Sequence, residues 1–289
     1  MGLVDAYLIP TVDGVAFGLL LFTVAAGLTV AFSVGGVLNL AHGSLYTLGA
    51  YTAAVLSDGT WSGLALAVGV GTAAGAAGGG VLAAAVAPLA GRGHLAQALL
   101  TFGAALVAAD LLATVFGPDD LPVIIPSELG TSASIAGHRY PAWRLAFIAV
   151  AVLLAGVGWL ALERTRVGAQ VRAAVDDPQM LACLGTNPRM VQAGVLAAAG
   201  GLAGMVGVLG APIIGPGPGT ANAVLLLSLV VVVLGGLGSI PGVLVAALAV
   251  GQIQTLGVTL RADWAPFLLF AAMAAALIAH SPRSGGSRA

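Results

Sequence analysis

Long apolar segments, rather than alternating or amphipathic ones, follow one another along almost the whole chain. Nine of them predict membrane-crossing helices, because a helix needs about 20 mainly apolar residues to cross the hydrocarbon core of a bilayer. They cover residues 13–33, 36–56, 63–87, 95–116, 141–162, 190–211, 221–239, 242–259 and 264–280. Strands of a transmembrane barrel alternate apolar and polar residues. The pattern therefore predicts an all-α fold, a polytopic transmembrane helical bundle of about eight to ten spans in a single domain, residues 1–289.

Composition narrows the function classes further. The 289 residues are 59% hydrophobic and 7% charged, whereas about a quarter of a soluble chain is charged. All ten basic residues are arginine, and a P-loop needs a lysine to reach the phosphates. If ATP drives this protein, another chain must bind it, and we expect no cofactor here. Cys183 is the single cysteine, which excludes an internal disulfide and a cysteine-based metal cluster.

No hydrolytic motif is present. The chain contains neither HExxH nor GxSxG, and no pair of carboxylates lies at mid-span where it would share acid and base work. We therefore expect a protein that is not an enzyme.

Two connections between spans are long, residues 117–140 and 163–189. Cytoplasmic loops are enriched in arginine and lysine. Alternating the nine spans places seven arginines on one side, including four in the 163–189 loop. This distribution predicts a cytoplasmic 163–189 loop, an outer 117–140 loop, an N-terminus outside and a C-terminus inside.

Two spans carry an internal break. The stretches around residues 35–51 and 235–254 each begin with a glycine pair, pass through a short turn-prone segment, and resume as a helix rich in glycine and alanine. Irregular backbone at membrane depth is tolerated only where protein buries it or where it lines a watery cavity. Two such breaks in corresponding parts of a chain indicate a substrate pathway.

The polar residues of these breaks are the candidate pathway residues. In the first break, Asn39 and His42 are three residues apart and project from one face of a helical turn. Alternatively, they form a helix cap and an interhelical hydrogen bond. The remaining candidates are Ser44 in the first break and Gly235, Gly236 and Ser239 in the second.

The 163–189 loop has an internal order that predicts a short helix. Asp176 or Asp177 is a good N-cap, a proline follows at the first helical position, and Gly185 is a natural stop. The arginines of the loop, including Arg172, are explained by orientation alone. The apolar face of the helix is not, and an exposed apolar patch indicates a binding partner. That face consists of Met180, Leu181 and Leu184.

Asp110 and Arg144 fall near the outer ends of neighbouring predicted spans. Charged groups in a membrane usually find partners. We therefore predict an ion pair between these two side chains, with a structural rather than a catalytic role.

Three segments carry a family resemblance. "GLTVAFSVGGVLNLAHGSLYTLGAY" (27–51) resembles the N-terminal signature of permeases of branched-chain amino acid ABC importers, the LivH-type subunits, which read like GL-x-L-x-F-G-V-x-x-x-x-N-x-A-H-G-E. "RTRVGAQVRAAVDDPQMLACLGTNP" (164–188) is similar to the cytoplasmic loop of that family, and "GGLGSIPGVLVAALAVG" (235–251) to its C-terminal signature. One position departs from the pattern, since Ser44 stands where the family commonly has Glu.

The resemblance implies a transmembrane permease that forms half of a pore in a bacterial inner membrane. It also implies partners: separate ABC ATPase subunits, a second LivM-like permease or a second copy of this chain, and an extracytoplasmic solute-binding protein. The short helix of the 163–189 loop would then be a coupling helix that seats in a groove of the ATPase.

The cargo stays open at this point. Branched-chain amino acids are the first expectation, and the permeases of urea and short-chain amide importers look much the same. A passive channel or a secondary transporter is the alternative from another class. A channel needs no capped cytoplasmic helix, and a secondary transporter usually keeps intramembrane carboxylates, for which only Asp110 qualifies.

Overall fold

A computed structural model describes residues 3–36, 38–89, 91–135, 138–236 and 238–261, together with 267, 271 and 274. The helices are α1 (Leu3–Gly35), α2 (His42–Leu56), α3 (Trp61–Val86), α4 (His94–Phe116), α5 (Ala142–Arg164), α6 (Arg166–Asp176), α7 (Pro178–Cys183), α8 (Pro188–Gly210), α9 (Thr220–Gly235) and α10 (Ile240–Arg261). A short 3₁₀ turn covers Ala87–Leu89, and two strands, β1 (Ser132–Ile135) and β2 (His138–Pro141), form an antiparallel hairpin.

The predicted helical bundle is confirmed. Among the described helices, six are long and apolar enough to cross a membrane: α1, α3, α4, α5, α8 and α10. Helices α2 and α9 are shorter, with 15 and 16 residues, because each adjoins one of the two breaks. The ninth predicted span, 264–280, lies outside the described residues except for positions 267, 271 and 274.

Helix α1 lies at the centre of the bundle. It packs against α5, α8, α9 and α10, and its side chains Leu20, Leu21 and Leu28 are fully buried. Such a helix is hydrophobic on all sides because protein, not lipid, surrounds it. By contrast α4 and α5 expose most of their apolar surface, as helices that face lipid do.

Glycines let the central helices approach to backbone contact. A Cβ on Gly75 of α3 would lie 2.3 Å from the carbonyl oxygen of Gly200 on α8, and one on Gly204 would lie 2.2 Å from that of Gly71. Helix α2 joins the same seam, since a Cβ on Gly49 would lie 2.0 Å from the Gly204 oxygen. Small residues at this spacing are the common means of helix association in membranes, where apolar side chains alone give no preference for protein over lipid.

The two ends of the bundle are distinguished by the elements that lie there. At one end Ala31 of α1 and Ala83 of α3 cluster with Val171 of α6 and Val195 of α8. We call this the α6–α7 end. At the other end, the hairpin end, the Ser57 hydroxyl donates to the Ile124 carbonyl at 2.5 Å. The arginines of the 163–189 loop lie at the α6–α7 end.

The structure gives Arg144 a different partner from the predicted Asp110. Its guanidinium pairs with Asp13 of α1, which also accepts a hydrogen bond from the Tyr140 hydroxyl at 2.7 Å. Asp110 of α4 is instead exposed. The physical reason is that α5 packs on α1, and this contact brings Asp13 rather than a residue of α4 beside Arg144. Burial and the neighbouring Asp13 raise the pKa of Tyr140, so its hydroxyl stays protonated and donates.

Candidate translocation and coupling sites

The first break separates α1 from α2 within the depth of the membrane. Gly36 has a φ of +60°, a left-handed conformation that glycine adopts without a steric penalty, and α2 resumes at His42. The His42 ring packs beside Gly27, eight residues before the end of α1. At 1.5 Å per helical residue this is about 12 Å along the axis. Residue 36 and residues 38–41 therefore extend, without helical structure, alongside a stretch that α1 spans as a helix.

Helix α4 supplies the hydrogen bonds that this irregular backbone lacks. The Thr101 hydroxyl accepts from the Leu40 N–H at 3.2 Å and lies 3.0 Å from the Leu38 carbonyl oxygen, to which it donates. The same hydroxyl also lies 3.0 Å from the Ala98 carbonyl of its own helix. Nearer the α6–α7 end, His94 Nδ1 donates to the Gly36 carbonyl at 3.0 Å. The break is thus buried in protein and hydrogen-bonded, as backbone at membrane depth must be.

Asn39 is buried in the turn before α2, with 1% of its surface exposed. Its Oδ1 accepts from the Ala41 N–H at 3.1 Å, an Asx turn that shapes the chain just before α2. Its Nδ2 is buried and has no hydrogen-bond partner among the residues that the structure describes. The side chain therefore holds the turn with one end and leaves two unused N–H donors at the other.

His42 is the first residue of α2 and is equally buried, with 1% exposed. Its Nε2 donates to the Val24 carbonyl of α1 at 3.0 Å, because a carbonyl oxygen only accepts. In the neutral ring this leaves Nδ1 as an acceptor, and within the described part of the chain Nδ1 has no partner. Donor and acceptor capacity is therefore left free on adjacent polar side chains inside the bundle.

Helix α2 is also packed tightly on its other side. A Cβ on Gly43 would lie 2.1 Å from the Ala221 carbonyl of α9, and the Tyr46 hydroxyl donates to the Ile214 carbonyl at 3.1 Å. The connection between α8 and α9 thus reaches inward to α2. Ser44 is buried, with 5% exposed, so the residue that departs from the family pattern lies inside the protein and not on its surface.

The second break lies beside the end of α1. Gly236 and Gly238 have φ of +85° and +90°, and a Cβ on Gly238 would lie 3.3 Å from the Ser33 hydroxyl. Ser239 is exposed, and its hydroxyl accepts from the Gly242 N–H at 3.2 Å. Gly235 touches the start of α10, since a Cβ on Gly242 would lie 2.0 Å from the Gly235 oxygen.

The structure therefore distinguishes the two sets of candidates. Asn39, His42 and Ser44 are buried side chains of the first break, whereas Ser239 is a solvent-accessible cap of α10 and the glycine pair forms a tight turn. Both breaks adjoin the last turns of α1. In the described part of the chain, no hydrogen bond joins the polar groups of one break to those of the other.

The 163–189 loop folds into α6 and α7. The Asp177 carboxylate caps α7 and accepts from the N–H groups of Gln179 and Met180, both at 2.9 Å, and Gly185 ends it with a φ of +84°. The predicted short helix is present, with Asp177 rather than Asp176 as its cap. Asp176 is instead the last residue of α6.

Only part of the predicted apolar face of α7 is exposed. Met180 exposes 58% and Leu184 75% of their surface, whereas Leu181 exposes 4% because α7 packs against α6 and α8. Arg172 of α6 is exposed and lies 3.8 Å from Glu163. The accessible patch on this helix therefore consists of Met180 and Leu184, and Leu181 anchors the helix to the bundle.

Comparison with known proteins decides the family. The family model described as "branched-chain amino acid transport system / permease component" matches residues 11–277. The chain belongs to this family. It is 25% identical over 266 residues to the high-affinity branched-chain amino acid transport system permease protein LivH of Salmonella typhimurium, with 84% of this chain and 83% of LivH covered. LivH of Escherichia coli K12 is 26% identical with the same coverage.

A third relative is the permease protein BraD of Pseudomonas aeruginosa, 26% identical over 272 residues, with 89% of this chain and 88% of BraD covered. No solved structure matches the chain significantly. Membership rests on nearly the full length of a transport permease, so the chain is a membrane-embedded transport component and not a fragment of another architecture.

Two features of these sites were not predicted from the sequence: the Thr101 hydroxyl of α4 and helix α6. Thr101 lies in an ordinary apolar helix and resembles any threonine that bonds to its own helix. Helix α6 had a local signal, because Thr165 caps it by accepting from the Gly168 N–H at 3.0 Å, and Val167, Val171 and Ala174 follow at helical spacing.

Proposed function

We propose that this chain is the membrane-spanning permease subunit of an ATP-binding-cassette importer that carries branched-chain amino acids across the bacterial plasma membrane. The observation that carries the proposal is the family match over residues 11–277 together with relatives named as branched-chain amino acid permeases. The absence of lysine from the sequence supports ATP binding by separate subunits, because the phosphate-binding loop requires that residue.

The proposed coupling element is α7. Met180 and Leu184 form an apolar patch at the α6–α7 end, and Leu181 fixes the helix to the bundle. Arginines cluster at this end, which supports a cytoplasmic position. In the proposed complex the ATPase binds the patch, and movement of the ATPase is transmitted through α7 to α6 and α8, which α7 contacts.

The proposed pathway element is the first break. Polar atoms of Asn39 and His42 lie buried inside the bundle without a described partner, and buried polar atoms without partners are energetically unfavourable. A hydrated solute passing this depth would satisfy them. The few charges on this path agree with selection of the solute by an external binding protein.

The assembly would contain two permease subunits, this chain with a LivM-like chain or a second copy, two ATPases and the binding protein. The test is reconstitution of the complex in proteoliposomes, with ATP hydrolysis measured for leucine, isoleucine, valine, urea and acetamide. Stimulation by the branched-chain amino acids is expected. Stimulation by urea or acetamide alone would overturn the cargo, and uptake by the purified chain without ATPases would overturn the permease assignment.

A further inference from the structure

A large apolar cavity lies between α1, α5 and α8, and one of its lining residues, Gly27, packs beside the His42 ring. Its volume is about 750 Å³, which is within the range of sites that bind small organic ligands. Helix α6 and residues 185–187 close it at the α6–α7 end. Its walls include Phe22, Ala26 and Val30 of α1, Gly158 of α5, and Gly194 and Ala198 of α8.

The cavity exists because α5 packs closely only at the hairpin end. There Trp143 Nε1 donates to the Leu209 carbonyl of α8 at 3.2 Å, and Phe147 is buried. Toward the α6–α7 end the walls include two glycines beside larger side chains such as Trp159 and Met190. A Cβ built on Gly158 or on Gly194 would meet nothing within 4 Å. Apolar space of this kind between membrane-crossing helices is accessible to acyl chains and unfavourable for water.

The α6–α7 end of the cavity is lined by polar residues, and exposed arginines flank these residues in the sequence. Thr165, Thr186 and Asn187 line it there, and Arg164, Arg166 and Arg189 lie next to these residues in the chain and are exposed. Across the ranges that the structure describes, the ion pairs found are Arg144 with Asp13 and Arg172 with Glu163. Three neighbouring arginines therefore carry positive charge that no described carboxylate neutralises.

We propose that this cavity binds an anionic glycerophospholipid. Its acyl chains occupy the space between α1, α5 and α8, and its phosphate is bound by Arg164, Arg166 and Arg189. Basic pockets between membrane helices on the cytoplasmic side bind anionic headgroups in this way. The charge at the mouth and the apolar walls at membrane depth together identify the occupant. The proposal does not depend on the transported solute.

The bound lipid would contact α6 inside the cavity and so support this helix. Gly168 and Val171 of α6 line the cavity, and α6 contacts the α7 helix that carries Met180 and Leu184. The lipid would therefore stabilise the platform on which α7 rests.

The test is native mass spectrometry of the full chain purified from mixed phosphatidylglycerol and phosphatidylcholine nanodiscs. We expect retention of phosphatidylglycerol. Replacing Arg164, Arg166 and Arg189 with Gln should lower the affinity for phosphatidylglycerol roughly fivefold for each arginine removed. R92Q, which changes an arginine of the α3–α4 connection, is the matched control and should leave retention unchanged.

A second pair of variants tests the cavity itself. G158L and G194L place side chains in open space inside it and should displace the lipid without preventing folding. G156L is the control on the same helix, because its Cβ also meets nothing within 4 Å and Gly156 does not line the cavity. Equal retention of phosphatidylglycerol and phosphatidylcholine by the parent chain, or undiminished retention in the arginine variant, would overturn the proposal. If lipid binds only after residues 262–289 are deleted, that segment occupies the cavity in the intact chain, and the proposal is overturned as well.

Discussion

The guanidinium of Arg144 on α5 and the carboxylate of Asp13 on α1 form an ion pair at the hairpin end of the bundle. Tyr140 of β2 donates to the same carboxylate at 2.7 Å. One aspartate thus joins the central helix, the lipid-facing helix and the hairpin. The pair adds a polar contact to the attachment that the buried Trp143 and Phe147 give α5.

We expect D13N and R144Q each to lower the free energy of unfolding by roughly 1–3 kcal/mol, the usual range for a hydrogen bond to a charged group. The D13R/R144D swap should recover part of the loss. Unfolding by urea or SDS in detergent measures the free energy of unfolding of each variant. D110N is the control and should stay within about 0.5 kcal/mol of the parent, as exposed substitutions do. A D110N loss as large as that of D13N would contradict the assignment.

Removal of the Thr101 hydroxyl should destabilise the first break. T101V keeps the shape of the side chain but leaves the Leu40 N–H and Leu38 carbonyl without their partner. An unsatisfied buried group costs about 1–3 kcal/mol, so proteolysis and thermal unfolding should both detect the change. T72V is the matched control, since the Thr72 hydroxyl bonds only to the Val68 carbonyl of its own helix. Equal effects of the two variants would show that the break does not depend on Thr101.

The free ring nitrogen of His42 predicts a transport defect that is separate from folding. H42F removes the free Nδ1 and also the Nε2 donor to the Val24 carbonyl, so it should cost about 1–3 kcal/mol of stability, and transport is compared per folded, assembled complex. Transport by the reconstituted complex should fall at least tenfold, about 1.4 kcal/mol, for loss of one hydrogen bond to a polar solute. Y46F, which removes the bond to the Ile214 carbonyl, should lower stability only. Unchanged uptake by H42F would remove His42 from the pathway.

The α3–α8 seam should not tolerate a methyl group. In G75A the new Cβ would lie 2.3 Å from the Gly200 oxygen, so the two backbones must separate. Overpacking of this kind destabilises by about 1–3 kcal/mol. G69A on the same helix meets nothing within 4 Å and should be neutral or slightly stabilising, because alanine favours helix. Comparable melting temperatures for both variants would exclude a seam closed by backbone contact.

The exposed patch on α7 should govern association with the ATPase. M180D and L184D should abolish co-purification of the ATPase while membrane insertion and thermal stability stay near those of the parent. L181D should lower stability as well, because Leu181 is buried. Gln179 lies on the same helix outside the patch, so Q179D serves as the control. Full co-purification with M180D and L184D would exclude α7 as the coupling helix.

The features predicted correctly from sequence depend on local chemistry. Apolar length defines the spans, and the cap of α7 follows from an aspartate, a proline and a glycine within nine positions. The same local rules apply to Gly36 and Gly236, whose positive φ values mark the ends of helices.

What the sequence did not reveal depends on distant contacts. Thr101 finds the break only because α4 packs beside it, and Asp13 meets Arg144 from a point 131 residues away. Leu181 faces inward because α8 is there to cover it. None of these relationships leaves a periodic or spaced pattern, so a single sequence offers no signal for them.

The first break also determines when this part of the fold can be completed. Helix α2 has 15 residues, too few to cross alone, and the backbone before it relies on a hydroxyl from α4. During synthesis α4 emerges only after α2 and α3. The hydrogen bonds between Thr101 and the first break can therefore form only after α4 has been synthesised, so the arrival of α4 completes this part of the fold.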